Sequence, residues 1–167
     1  MKLGYVTVEG RARTDALIAE VAELARARGL RLAGTVQFNP ERAGRSKCDM
    51  DLALLPDGPV FRISEDRGDL ARGCRLDGGA LEAAVALVEA RLADAQLVIV
   101  NKFGKHESGG RGFAPVIAAA LERDLPVLVG VNRLNRDAFD AFSGGLAEAI
   151  DPDPDAVMAW LDRPETG

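Results

Sequence analysis

Aromatic residues are scarce in this chain. Among its 167 residues are one Trp, one Tyr and six Phe, too few to build the ring platforms on which single-stranded nucleic acids stack. Positive charge is also short: 21 basic residues against 26 acidic ones leave a net charge of −5, which gives no general attraction to nucleic acid or anionic lipid. Two cysteines, Cys48 and Cys74, do not make a disulfide framework. No apolar run reaches the ~20 residues of a membrane span. The opening MKLGYVTVEG has no long apolar stretch of the kind a secretory signal needs. These shortages predict a cytoplasmic protein with no nucleic-acid partner and no membrane insertion.

What is present suits one compact domain over residues 1–167. The hydrophobic fraction of 47% and the charged fraction of 28% are near globular averages, the length allows a full core, and no repeat, linker or low-complexity tract interrupts it. Short apolar runs alternate with helical periods. Residues 3–8 and Leu32–Phe38 read as buried strands. Between them Leu17, Ile18, Val21, Leu24 and Ala25 form one helical face, with Thr14 or Asp15 as cap and Gly29 as terminator. Residues 49–55 and 59–63, around Pro56-Asp57-Gly58, read as a β-hairpin. Asp77 caps a helix with Leu81, Val85, Val88 and Leu92 at helical spacing. Leu97–Val100 and residues 126–131 are further strands, the first with the unbroken apolar run of a central parallel strand. Helices follow each, and Asp153-Pro154 opens a last one. The alternation predicts an α/β sandwich with a mostly parallel central sheet and a hairpin inserted after the second strand.

Ligands of open α/β sheets bind beyond the carboxyl ends of the strands. Three such ends bring Gly10–Thr14, Asn101–His106 and Asn132–Asn135 toward one edge, as residues 10–14, 101–106 and 132–135. More than half of the 21 basic residues fall in connections or at element starts, among them Arg11, Arg13, Lys102, Lys105, Arg111 and Arg133. On an acidic background that placement points to a local anion site. The first loop also meets a helix N-terminus, whose N–H groups and dipole favour an anion. Guanidinium groups suit bidentate oxyanion contacts, and Thr14 offers a hydroxyl. Gly10, Arg11, Arg13, Thr14, Asn101, Lys102, Lys105, Asn132 and Arg133 are therefore the candidate ligand-binding residues.

Set against the phosphate-binding pattern G-x-x-x-x-G-K-[ST], the first loop is degenerate. With Thr14 at the last position, Arg13 stands at the lysine, Ala12 at the second glycine and Thr7 at the first. Those glycines permit the close backbone approach that cradles phosphate. Asn101 stands where a Walker B aspartate would hold magnesium, and Asn is a poorer ligand for a hard cation. Lys102 repels one. Magnesium dependence is therefore not expected. His106 and Glu107 are the candidates for proton transfer. Cys48 and Cys74, each beside a basic residue that lowers a thiol pKa, are candidates for a metal or soft-ligand site, although their spacing matches no zinc signature.

The strings Gly4-Tyr5-Val6-Thr7-Val8, Cys48-Asp49-Met50-Asp51-Leu52, Arg72-Gly73-Cys74-Arg75-Leu76-Asp77 and Val100-Asn101-Lys102-Phe103-Gly104-Lys105 resemble a bacterial family with a domain of unknown function, often encoded beside molybdate-uptake genes. Gly112-Phe113 and Val129-Gly130-Val131-Asn132 complete the set, which spans nearly the whole chain. More remotely the chain is similar to small P-loop nucleoside-triphosphatases, where an Asp-Glu-x-Gly string follows the strand that Asn101-Lys102-Phe103-Gly104 follow here. Gly104 matches; Asn101 and Lys102 replace both acids. The similarity implies a P-loop-NTPase-like three-layer sandwich. The gene association implies molybdate or molybdenum handling and a protein partner in such a system.

Three functions compete at this level. The favoured one is a nucleotide- or oxyanion-binding protein with degenerate Walker motifs that is not an efficient hydrolase, with molybdate among the anions its pocket accepts. The second is a slow nucleoside-triphosphatase or phosphotransferase using Thr14, Glu107 and arginine. The third is a metal- or thiol-dependent accessory protein built on Cys48 and Cys74. A homo-oligomer is compatible with each.

Overall fold

A computed structural model of the chain describes residues 1–38, 50–64 and 76–164, the side chains of Arg11 and Ala12 excepted. In chain order the elements are β1 (Leu3–Val6), α1 (Arg11–Ala27), β2 (Leu32–Phe38), β3 (Asp51–Leu54), β4 (Val60–Arg62), α2 (Gly78–Arg91) and β5 (Leu97–Val100). They continue with α3 (Lys105–Ser108), α4 (Ala114–Glu122), β6 (Val127–Gly130), α5 (Arg136–Ser143), β7 (Glu148–Ala149) and α6 (Pro154–Asp162). The strands form one seven-stranded sheet in the order β4-β3-β2-β5-β6-β1-β7. Pairs β2–β5, β5–β6, β6–β1 and β1–β7 are parallel. The hairpin β3–β4 joins antiparallel at the β2 edge. The expected mostly parallel α/β sheet is present, and the hairpin extends it.

Strand periodicity explains the layers. Alternate residues of a strand point to opposite faces, and here each face has its own apolar cluster. Leu3, Tyr5, Val98, Val100, Val127 and Val129 join the side chains of α2, α4 and α5. Val6, Leu97, Ile99 and Leu128 join those of α1 and α6. Every residue of β5 and β6 is buried, as a central parallel strand covered on both faces requires. Each such Leu, Ile or Val stabilises the fold by roughly 1.5–3 kcal/mol relative to exposure.

Two helix ends match their sequence signals. Gly29 adopts a left-handed φ of 78°, and the Leu30 N–H donates to the Ala25 carbonyl at 3.2 Å, closing α1. Asp77 accepts the Ala80 N–H at 3.1 Å, capping α2. The start of α1 is different. The helix begins at Arg11, after Gly10 at φ 92°, with no side-chain cap, so neither Thr14 nor Asp15 caps it. Thr14 Oγ1 donates to the Val8 carbonyl at 3.3 Å, and Asp15 accepts from Asn101. The connection from β1 is therefore only residues 7–10. That is shorter than the stretch over which a glycine-rich loop wraps a phosphate. Two small elements also escaped the sequence pattern, the single turn α3 and the two-residue edge strand β7.

Candidate anion-binding site

The carboxyl ends of β1, β5 and β6 close on one another at Gly130. A Cβ on that residue would lie 2.1 Å from the Asn101 carbonyl oxygen and 3.3 Å from Thr14 Cγ2, so hydrogen is the only substituent that fits. In front of it is a hollow of about 110 Å³ bordered by Gly10, Thr14, Asp15, Asn101, Lys102 and Asn132, with Gln37 at its edge. Five of the sequence candidates (Gly10, Thr14, Asn101, Lys102 and Asn132) thus meet at one place. Lys105, His106 and Glu107 border a second cavity of about 290 Å³, which shares Gln37, Asn101 and Lys102 with the first.

The arginines are placed differently. Arg13 is exposed on the first turn of α1. Arg133 pairs with Glu9 at 2.7 Å, with side chains 80% and 72% exposed. That contact links the connection after β1 to the one after β6, yet an ion pair so exposed contributes under about 1 kcal/mol. Neither arginine is among the described residues bordering the hollow: Arg133 turns to a carboxylate, and the exposed Arg13 lies over Gly10, its Cδ 3.5 Å from where a Cβ on that glycine would sit. The side chain of Arg11 lies outside the described part. Of the expected positive cradle, Lys102 is the member that borders the hollow.

Asn101 organises the centre. It is 2% exposed, its Oδ1 accepts the Gln37 N–H at 2.9 Å, and its Nδ2 donates to Asp15 Oδ1 at 2.8 Å. One amide therefore ties β2, β5 and α1 together, as a buried polar group must be satisfied. The carboxylate of the site comes from a helix, where the motif comparison looked for one at the strand end. Asp15 and Gln37 were not among the sequence candidates. A signal for Gln37 exists: Thr35 and Gln37 are polar positions two apart in an otherwise apolar strand, and both are buried. Asn132 is engaged as well, its Oδ1 accepting the Asn135 N–H at 3.0 Å to cap the turn that follows.

Residues 3–160 match the family model described as protein of unknown function, DUF2478. The chain belongs to that family. It is 33% identical over 148 residues to a molybdenum import ATP-binding protein, ModC 2, of Bradyrhizobium diazoefficiens, a match covering 87% of this chain. The chain spans only 16% of that relative's length. Two solved structures superpose over nearly its whole length. One is a human cancer-related nucleoside triphosphatase, with TM-score 0.69, 15% identity and coverage of 99% and 100% of the two chains. The other is THEP1 from the hyperthermophile Aquifex aeolicus, with TM-score 0.67, 13% identity and coverage of 98% and 100%. At those identities the likeness is one of fold, and the fold is the α/β, mostly parallel architecture of small P-loop nucleoside-triphosphatases.

In this DUF2478 member Glu107 has a defined structural task. It is 5% exposed. Its Oε1 accepts the Gly104 N–H at 2.9 Å and its Oε2 the Phe113 N–H at 3.2 Å. One carboxyl group thus serves the amino-terminal ends of both α3 and α4. Each oxygen accepts one N–H, so the carboxyl group acts as a cap for both turns. His106, half-buried beside the first turn of α2 near Gly78, borders the larger cavity. Cys48 and Cys74 lie outside the described residues. Among the described residues no group of three or more His, Cys, Asp or Glu could hold a metal ion.

Burial pushes the Glu107 carboxyl above its ordinary value of 4.5, while the N–H groups of Gly104 and Phe113 and the neighbouring His106 oppose that rise. The folded protein therefore holds this proton more tightly than the unfolded chain does. The contribution is complete below pH 4.5 and is lost as pH rises through the folded value. Glu107→Gln removes the titration and leaves the Phe113 N–H facing an amide donor, a loss of about 1–3 kcal/mol. Urea melts should show the stability advantage of wild type over Glu107→Gln shrinking as pH rises above 4.5. An advantage independent of pH would refute the assignment.

Proposed function

We propose that this protein binds a nucleotide or a tetrahedral oxyanion at the joined ends of β1, β5 and β6 and is not an efficient hydrolase. The observation that carries the reading is the strand-end hollow bordered by Asn101, whose amide is held by Gln37 and Asp15; on this reading the amide stands where a metal-holding carboxylate would. The fold supports it, since open α/β sheets bind ligands at this edge. Lys102 supplies a charge-assisted contact for an anion. Phosphoryl transfer depends on a positioned metal ion and a positioned nucleophile. A neutral amide with both ends already bonded provides for neither. The Bradyrhizobium relative is a molybdenum import ATP-binding protein, which supports a role in molybdate or molybdenum handling; an accessory protein in the cytoplasm with a protein partner from such a system is part of the same proposal.

Calorimetry with ATP, GTP, phosphate and molybdate, each with and without magnesium, tests the reading. At least one should bind with an affinity that magnesium leaves unchanged. Lys102→Ala should weaken that binding about tenfold or more, the loss of one charged hydrogen bond. Absence of binding by all four anions would end the proposal, as would rapid magnesium-dependent turnover lost in Lys102→Ala.

A further inference from the structure

The 290 Å³ cavity beside the hollow has walls of two kinds. Leu52 on β3, Ile63 just after β4, Leu76, Leu81 on α2 and Phe113 make an apolar enclosure. Its other end is polar: Gln37, Asn101 and Lys102, which also border the anion hollow, together with Lys105, His106 and Glu107. Protein interiors leave few voids larger than a water molecule, and small-ligand sites are concave, mostly apolar and fitted with a few polar groups that fix orientation. This cavity has that composition. An apolar chamber sharing a lysine with an oxyanion-sized hollow fits a molecule that is apolar at one end and anionic at the other.

We infer that the ligand is an organic anion whose compact apolar body occupies the chamber between β3 and α2 while its charged group sits at Lys102 in the hollow. The inference rests on the anion-binding reading above and narrows it, because a bare tetrahedral oxyanion leaves the chamber empty. The chemical class is a ring- or branched-chain-bearing phosphate ester, sulfonate or carboxylate.

Phenyl phosphate, inorganic phosphate and phenol form the test set, with titration calorimetry and methyl NMR of the full chain as readouts. Phenyl phosphate should bind at least tenfold tighter than inorganic phosphate, since the ring is removed from water only in the first case. The methyl signals of Leu52, Ile63 and Leu81 should shift with phenyl phosphate and not with phosphate. Leu76→Trp, at a half-buried wall position, should abolish the tenfold difference and leave phosphate affinity as it was. The methyl readout stands on wild type alone and is independent of how that variant folds. Equal affinities with unmoved cavity methyls overturn the inference and leave the anion reading intact. Phenol shifting the methyls while neither phosphate nor phenyl phosphate binds overturns both. Failure of all three probes to bind overturns both as well.

Discussion

Gly34→Ala is expected to destabilise the protein by roughly 3 kcal/mol or more, a large share of the ~5–15 kcal/mol that holds a domain folded. Two effects combine at this position. Gly34 has φ 115°, a conformation that side chains rarely adopt. A Cβ there would also lie 1.8 Å from the Ile99 carbonyl oxygen and 2.7 Å from its carbon. The obstruction is backbone of the neighbouring strand, so no rotamer change relieves it. The strands must separate, and Gly34 pairs with Ile99 in the β2–β5 ladder, two residues before Asn101. Moving β2 away would also draw the Gln37 N–H off Asn101. Anion binding should then fall together with stability. Gly29→Ala is the control: φ is 78°, but nothing lies within 4 Å of the added carbon, so only the conformational cost of about 1 kcal/mol applies. Urea denaturation of the two variants separates crowding from backbone preference. Equal losses at Gly34 and Gly29 would show that strand separation is not involved.

The fold was legible where a single physical rule governs a segment. The apolar run Leu97–Val100 follows from burial on both faces of a sheet. The end of α1 at Gly29 and the start of α2 at Asp77 follow from cap chemistry. Legibility failed where a side chain with a local preference was taken up by tertiary structure. Thr14 and Asp15 have good cap chemistry, yet they sit inside α1 and turn to Val8 and Asn101, which no local pattern encodes. Strand β7 has only Glu148 and Ala149, both exposed, and exists through backbone pairing with Gly4 and Tyr5. A two-residue edge strand has no periodicity to detect. The short helix α3 depends on Glu107 folding back onto Gly104, a bond visible only after the turn is formed.

The meeting of the strand-end connections was legible in outline by the same logic. Strand-end topology foretold that Gly10, Thr14, Asn101, Lys102 and Asn132 would meet. It was silent on side-chain direction, and neither Arg13 nor Arg133 is among the described residues that border the hollow. Charge counted along the chain identifies residues within reach of the strand ends, whereas the pairing of Arg133 with Glu9 depends on how two connections meet in space. At the end of β5 the sequence has Asn101 and Lys102 in place of carboxylates. Asp15, bonded to the Asn101 amide, was hidden in a helix.

The exchange between Asn101 and Asp15 yields the sharpest functional test. Asn101→Asp places a second carboxylate against Asp15 Oδ1, at the 2.8 Å position now held by an amide donor, in a residue 2% exposed. A buried charge without compensation costs about 3–5 kcal/mol. Two carboxylates so close cannot both ionise, so one titrates above the ordinary Asp value of ~3.9. A folded-state value raised in this way gives stability that is complete below the unfolded value and is lost as pH rises through the folded one. The variant should therefore approach wild type near pH 4 and be weakest at pH 7, the range to be covered by urea melts. The double variant Asp15→Asn/Asn101→Asp restores one donor opposite one acceptor and should recover most of the loss at pH 7, a coupling that a double-mutant cycle measures directly. A penalty equal at pH 4 and pH 7, or one that the exchange fails to relieve, would mean that the Asn101–Asp15 bond does not hold the strand end to the helix.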